Sequence, residues 1–303
     1  MVVKQEDLNS QILIGSSNDF QSFVDEFTSL EFNMKLTANS DLSKEQVKQK
    51  LDVYLQEMMH GYHFVSQYLP KGQLRILEVG AGLGLLSIYL KRLGHEVVAL
   101  EPANIGFGFF DITKKEIWKA VGSNIPVLNE NMAEELTPEK DGKFDFIFSV
   151  NVMEHINDIE AASAAIISVL KPDGLCVNSC PNYLVPYEPH YALPMIPFAH
   201  SLTRKLFDKK ISQDPGVWES LNFINWFTVR KMANQNNCTV VFEKELIYKA
   251  FVRLGNDEIF MARHQNGLAA MIYKFLKATH TMGLLRFLPV VLSTPMIFTY
   301  RKN

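Results

Sequence analysis

Apolar positions along the chain fall into short unbroken runs, separated by stretches in which they recur every three or four residues. The runs are Leu74–Val79, Glu96–Glu101, Ile125–Leu128, Lys143–Val150 and residues 175–180. Runs of this length suit strands buried on both faces of a parallel sheet. Between them, Leu85–Leu93, Asp111–Val121 and residues 158–170 carry helical periodicity. Strand and helix in alternation predict parallel βαβ units. Upstream, Val47, Leu51, Tyr54, Met58, Tyr62, Val65 and Leu69 recur at helical spacing behind Ser43-x-x-Gln46, a capping-box pattern. That helix ends at Pro70-Lys71-Gly72 and carries His60, Tyr62 and His63 in its last turns. They could reach a ligand there, but surface histidines on a half-buried helix are the plainer reading. Residues 1–40 show no dominant period, so 1–72 are read as an N-terminal helical cap and 73–303 as the main domain.

The rhythm breaks after residue 180. Five of the 13 prolines fall at Pro181, Pro186, Pro189, Pro194 and Pro197, interleaved with Tyr183, Tyr187, Tyr191 and Phe198. Residues 181–227 therefore read as an aromatic, proline-rich insertion placed to roof an acceptor pocket, because long ordered loops are often functional. Thr228–Asn237 reads as a helix, residues 239–251 hold a sixth strand, and Thr294–Lys302 reads as a final antiparallel seventh. From Ile259 onward there is no Asp or Glu, but six Lys or Arg. Leu268, Met271, Ile272, Phe275 and Leu276 share one helical face flanked by Lys274 and Lys277. Residues 259–293 thus form a basic amphipathic segment, suited to a membrane interface or to packing on the sheet with a solvated basic edge.

Composition narrows the class. A hydrophobic fraction of 47% and a charged fraction of 21% are those of a globular chain with a sizeable core. The net charge of −3 gives no global nucleic-acid footprint. Three cysteines without a C-x-x-C pair argue against disulfides and structural zinc and for a reduced, cytoplasmic setting. The polar start lacks the apolar core of a signal peptide.

The first run leads directly into Glu78-Val-Gly-Ala-Gly-Leu-Gly84. Glycine there lets the chain turn sharply and lets a ligand lie against the backbone, while the following helix offers free N–H groups. The spacing is E-x-G-x-G-x-G, not the G-x-G-x-x-G of pyrophosphate binders. The next run ends in Glu101, a carboxylate placed to accept both hydroxyls of an unphosphorylated ribose. With "FDFIFSVNVMEHI" at 144–156 and "LKPDG" at 170–174, the chain resembles the class I S-adenosylmethionine (SAM) methyltransferases over roughly residues 74–180 and the last strand, and more closely their ubiquinone-pathway branch. The resemblance implies an α/β fold: a Rossmann-like seven-stranded sheet, mostly parallel with an antiparallel seventh strand, and helices on both faces. It implies that Gly80, Ala81, Gly82 and Gly84 pass the methionyl part of SAM, that Glu78 orders that loop, and that Glu101 with Pro102 takes the ribose. Met132 stands where an acid is common, so Met132 and Ala133 would give adenine only apolar and backbone contact. Asn151 would lie beside the methionine moiety.

For chemistry, Glu154-His155 opens the loop after strand four. Some relatives use E-x-x-E-H there to hold a divalent metal, but Asn151 replaces the first acid, and no metal is expected even though His190 of the insertion could complete a set with Glu154 and His155. His155 and His190 are candidate general bases, since imidazole titrates near the working pH, with Glu154 beside them. The expected activity is methyl transfer from SAM, at oxygen, to a small-molecule, lipid-like or lipid-linked acceptor, with peripheral membrane contact through 259–293. RNA methylation, a non-catalytic SAM-binding scaffold and, more distantly, a nicotinamide dehydrogenase are the alternatives.

Overall fold

The glycine run sits at the mouth of a buried strand. In the computed structural model, which describes residues 17–102, 108–122, 125–256 and 268–303, Arg75–Val79 forms β1. Its neighbours are β2 (Glu96–Leu100) and β4 (Phe144–Val150), both parallel to it, with Ile76 opposite Val97 on one side and Phe146 on the other. β3 (Val127–Asn129) pairs parallel with β2. Ile76, Leu77, Phe146, Ile147 and Phe148 are wholly buried, which is why these strands read as unbroken apolar runs. With β5 (Leu170–Cys180), β8 (Cys238–Phe242) and β9 (Met296–Lys302) they build one mostly parallel, Rossmann-like sheet of seven strands in the order β3-β2-β1-β4-β5-β9-β8, with an antiparallel member. The order reverses between β1 and β4, where ligands of such sheets collect at the carboxyl ends of the strands.

The chain divides into two compact units. The first comprises residues 1–150, 161–177 and Lys302. Residues 17–38, which lack a clear period, form two helices, α1 (Ser17–Thr28) and α2 (Leu30–Ala38). α3 (Lys44–Val65) begins at the expected capping box: Gln46 N–H donates to Ser43 Oγ and Ser43 N–H to Gln46 Oε1 at 2.9 Å. Phe20 stacks on Tyr62 at 4.5 Å and meets Tyr89 edge-on at 4.9 Å. Each such pair adds about 0.5–1.5 kcal/mol beyond its buried area. Tyr62 is therefore spent on this aromatic core. α4 (Leu85–Arg92) follows β1, and α5 (Gly108–Val121) follows β2.

β5 starts at Leu170, ahead of the run expected at 175–180, so Pro172-Asp173-Gly174 lies within the strand. Phe144 N–H already bonds Val169 O at 2.8 Å and the Lys171 ammonium meets Asp145 at 2.8 Å, so the segment is tied to β4 ahead of the proline.

The second unit holds residues 151–160, 178–301 and Asn303. Its insertion contains a two-stranded antiparallel ladder, β6 (Tyr187–Glu188) with β7 (Leu193–Pro194), and short helices at His200–Leu206, Asp208–Ile211 and Pro215–Ser220. Asn182, almost fully buried, knots this unit: its Nδ2 donates to Val291 O (2.8 Å) and Ser293 O (3.1 Å), and its Oδ1 accepts from Leu184 and Trp226 N–H. Phe223 stacks on His200 at 3.7 Å and is met edge-on by Tyr183 and Trp218. The sixth strand ends at Phe242, well short of the expected 251; Leu246–Asn256 is helical because Ile247, Phe251 and Leu254 recur at helical, not alternating, spacing. Leu268–Ala278 is a helix, and 3-10 turns follow at Met282–Phe287 and Val290–Leu292. Residues 259–267 of the basic segment lie outside the described residues. All three cysteines are buried and free, and no described helix is long and apolar enough to cross a membrane.

Candidate functional site

In the first unit the loop from β1 to α4 is strapped to the end of β2. Gly80 and Ala81 N–H both donate to Leu100 O, at 2.8 and 3.0 Å, and Gly82 N–H donates to Glu101 Oε2 at 2.8 Å. Gly82 has φ +55°, and a Cβ built there would meet nothing within 4 Å. The backbone thus needs glycine for its conformation while leaving open space beside it, a cradle for a ligand. Gly84 differs. At φ +78° a Cβ would come within 2.9 Å of the Trp118 ring, whose Nε1–H donates to Leu83 O at 3.0 Å. Gly84 also caps α4 with no side-chain hydrogen bond, so the first N–H groups of that helix get no side-chain cap.

Glu78 is buried under this loop and accepts from Ser87 Oγ at 2.5 Å, which joins β1 to α4. Burial pushes its carboxyl up to about 8, against the pull of the Ser87 hydroxyl. Burial also raises Glu101, tempered by the Gly82 N–H and by Lys114. Glu101 and Pro102 line a cleft of ≈ 330 Å³ together with Phe110, Lys114, Trp118 and Leu128. The aromatic wall of α5 escaped the sequence reading, although Phe110, Lys114 and Trp118 stand four apart on one helical face. Met132 is half exposed, and its N–H is taken by Glu135 Oε2 at 2.8 Å, so that donor is spent within the loop; Ala133 is buried. A glycine cradle with free space above it, a partly buried carboxylate at the end of β2 and an aromatic wall fit the adenosine and methionine parts of SAM.

The second unit gathers Glu154, His155 and His190. Asn151 opens their loop in the left-handed region at φ +54°, its N–H donating to Ser179 O at 2.8 Å. Asn222 fixes the turn that follows. Its Nδ2 donates to Met153 O (2.7 Å) and Ile156 O (2.8 Å), and its N–H to Glu154 O (2.9 Å). Held this way, the Glu154 side chain is wholly buried and neither carboxyl oxygen has a hydrogen bond to another described residue. His155 Nδ1 lies 2.7 Å from Ser220 Oγ, and that hydroxyl donates to Val217 O at 2.8 Å. His190 Nδ1 lies 2.6 Å from Glu188 Oε1, while Glu188 Oε2 accepts Tyr191 N–H at 2.7 Å. The two imidazoles meet edge-on at 5.1 Å, and Glu154, His155 and His190 each present one donor atom within 4.8 Å of the other two.

Electrostatics follows from these contacts. Burial raises Glu154 to about 7, against the pull of its own backbone N–H and of His190, while Glu188 pushes it up. Burial lowers His155, and the neighbouring His190 lowers it further. The Glu188 hydrogen bond raises His190. Burial would lift Glu188, but the bonds from His190 and Tyr191 outweigh it and hold the carboxyl below its usual range. Glu188, Ser220 and Asn222 went unnoticed in the sequence. Only Glu188 carried a signal, two residues before His190 on the ladder strand.

Comparison with known proteins bears on both halves. The methyltransferase domain family matches residues 48–241. An uncharacterized protein of Mycobacterium tuberculosis (strain ATCC 25618 / H37Rv) is 35% identical over 216 residues, covering 69% of this chain and 72% of that protein. A ubiquinone biosynthesis O-methyltransferase of Xanthomonas euvesicatoria pv. vesicatoria is 30% identical over 168 residues, covering 55% of this chain and 64% of that enzyme. Among solved structures, an S-adenosylmethionine dependent methyltransferase from Mesorhizobium loti shares the fold with a TM-score of 0.51 at 14% identity, covering 80% of this chain and 97% of that one.

Proposed function

Since the chain belongs to the methyltransferase domain family and is a class I SAM-dependent methyltransferase, we propose that it methylates a hydroxyl oxygen of a small, lipid-like or lipid-linked acceptor. The observation that carries this reading is the Glu154–His155–His190 cluster, a buried carboxyl and two imidazoles set in an aromatic segment. A hydroxyl is a poor nucleophile until it sheds its proton, and groups of this kind supply that help. The 30%-identical relative is named for methylation at oxygen, which supports the same atom here.

In this reading Gly80, Ala81, Gly82 and Gly84 hold the methionyl end of SAM and Glu78 keeps their loop in place. Glu101 and Pro102 take the ribose, Met132 and Ala133 border the adenine, and Asn151 stands beside the methionine moiety. Bound SAM supplies a methyl carbon on a positively charged sulfur, whose C–S bond breaks with the electron pair left on sulfur. The protein supplies alignment, which alone is worth several kcal/mol, and a path for the hydroxyl proton through Glu154, His155 and His190 to solvent. Glu188 and Ser220 hold the two rings for that task. The insertion at 181–227, with Tyr183, Tyr191, Trp218 and Phe223, walls the acceptor. Met271, Phe275, Leu284 and Phe287 are 63%, 65%, 63% and 82% exposed beside Lys274 and Lys277, which supports peripheral contact with a lipid surface through the described part of the basic segment.

The test is titration with S-adenosylhomocysteine, followed by incubation with SAM and fractionated lipid extracts read by mass spectrometry. The expected product is an O-methyl ether or ester of an apolar acceptor. A methyl group found on nitrogen or carbon, or only on RNA, overturns the acceptor assignment.

A further inference from the structure

We propose that Lys114 is a positioning residue for the cofactor: its ammonium shares a cleft with Glu101 and keeps a charged carboxylate available to the ribose of SAM. Lys114 can act this way only if Glu101 takes the ribose, as proposed above.

The rotation of α5 puts Lys114 there. Thr113 and Ile117, four apart, are wholly buried and fix which side of the helix faces the core. Phe110, Lys114 and Trp118 form the next stripe round and line the cleft with Glu101 and Pro102. Both aromatic neighbours are anchored. Trp118 Nε1–H donates to Leu83 O at 3.0 Å, and Phe110 meets Tyr54 edge-on at 6.1 Å. Lys114 stands one turn from each and is half-buried. In such a setting a long stem rests on apolar surface and the charged end stays at the rim.

Charge then singles Lys114 out. Glu101 is faced by the Gly82 N–H from the glycine loop, by Asp111, Lys114 and Lys115 from α5 and by Glu130 beyond β3, with Glu78 of β1 in electrostatic reach. Three of these groups are carboxyls, which favour a proton on Glu101 just as burial does. Of the two ammonium groups, Lys115 is exposed and screened by solvent. Lys114 is the one that, with the Gly82 N–H, draws Glu101 down against burial.

The ionised form matters for the ligand. Glu101 Oε2 already accepts the Gly82 N–H, so a proton on the other oxygen would turn the remaining acceptor into a donor. A carboxylate offers acceptors only, and so can serve both ribose hydroxyls. Covering the cleft with a ligand strips water from Glu101 and makes the nearby cation count for more.

The test is calorimetric titration of the full chain with S-adenosylhomocysteine between about pH 5 and about pH 8. Lys114→Met, which keeps the bulk of the stem, should bind roughly tenfold more weakly at the acid end, where a one-decade change in the proton affinity of Glu101 is expressed. The loss should shrink as pH rises and both proteins ionise Glu101. Lys114→Arg should restore wild-type affinity. Lys119→Met, exposed further along α5 and outside the cleft, should not change it. In the Glu101→Gln background Lys114→Met should have no further effect. Without ligand, carbon NMR of the Glu101 carboxyl should show titration at higher pH in Lys114→Met than in the wild-type protein. Melting curves report folding, and Lys114→Gln stands in if the Met variant melts early. Wild-type binding by Lys114→Met, with Glu101→Gln weakened, overturns the role of Lys114 alone. An equal loss at every pH, or one that persists beside Glu101→Gln, overturns it too, since Lys114 would then hold the ligand itself. Wild-type binding by Glu101→Gln sinks the ribose assignment, and Lys114 with it.

Discussion

One buried carboxyl of the second unit is met differently from those of the first. In the first, Glu78 is answered by the Ser87 hydroxyl and Glu101 by the Gly82 N–H, so the loop is held before any ligand arrives. In the second, Glu154 is as deeply buried and takes no hydrogen bond from any other described residue, while the groups around it, Glu188, Ser220 and Asn222, spend their hydrogen bonds on the turn that carries it and on its two neighbouring histidines. A site whose ligand makes neutral hydrogen bonds can complete itself with its own backbone. An acid buried without a partner from another residue is held largely protonated and can exchange that proton near neutral pH.

That contrast can be broken by substitution. The largest effect is expected from Glu154→Gln and His190→Ala, which should lower turnover by roughly 10²–10⁴-fold while leaving S-adenosylhomocysteine affinity unchanged; a parallel fall in both would show that the two halves are not separable. Next, Glu101→Ala removes the partner of the Gly82 N–H and a carboxylate facing the cleft. A hydrogen bond to a charged group contributes about 1.5–3 kcal/mol, so calorimetry should show affinity for S-adenosylhomocysteine down by roughly 10–100-fold.

A smaller effect concerns Glu78. Its folded-state value lies near 8 against 4.5 for the ordinary carboxyl, so between those limits the folded protein keeps a proton that the unfolded chain has released. Stability of the ligand-free protein should therefore fall as pH rises from about 4.5 to about 8. Thermal melts of Glu78→Gln, which has no proton to lose, should show a flatter profile over that window; an unchanged slope would place the linkage elsewhere. Smallest of all, Trp118→Phe keeps most of the packing on Gly84 but loses the bond to Leu83 O. It should cost about 1 kcal/mol, read as a modest drop in melting temperature.

How far the sequence reached depended on whether a feature is local. The strands announced themselves because both faces are buried, and α3 because its cap and period lie within one stretch. Glu78, the three glycines and Glu101 could be picked out because their roles depend on spacing along one βα unit. The helices at 17–38 escaped because their only strong signal, Phe20, Phe23 and Phe27, looks unremarkable until Tyr62 and Tyr89 are packed against it. The sixth strand was overextended because an apolar stretch was read without testing its period.

What the sequence determined by itself was the alternating architecture and the glycine-and-acid loop, since short-range sterics and burial on both faces dictate those locally. The meeting of His190 with Glu154 and His155 was decided only in three dimensions. His190 lies 35 positions beyond His155, its nearest partner in the cluster, and what brings them together is the ladder of the insertion, the Asn222 clamp and the anchors on each ring. The ladder and the Glu188 anchor are too short to show a period, and the Asn222 clamp and the Ser220 anchor join parts of the chain more than 60 residues apart.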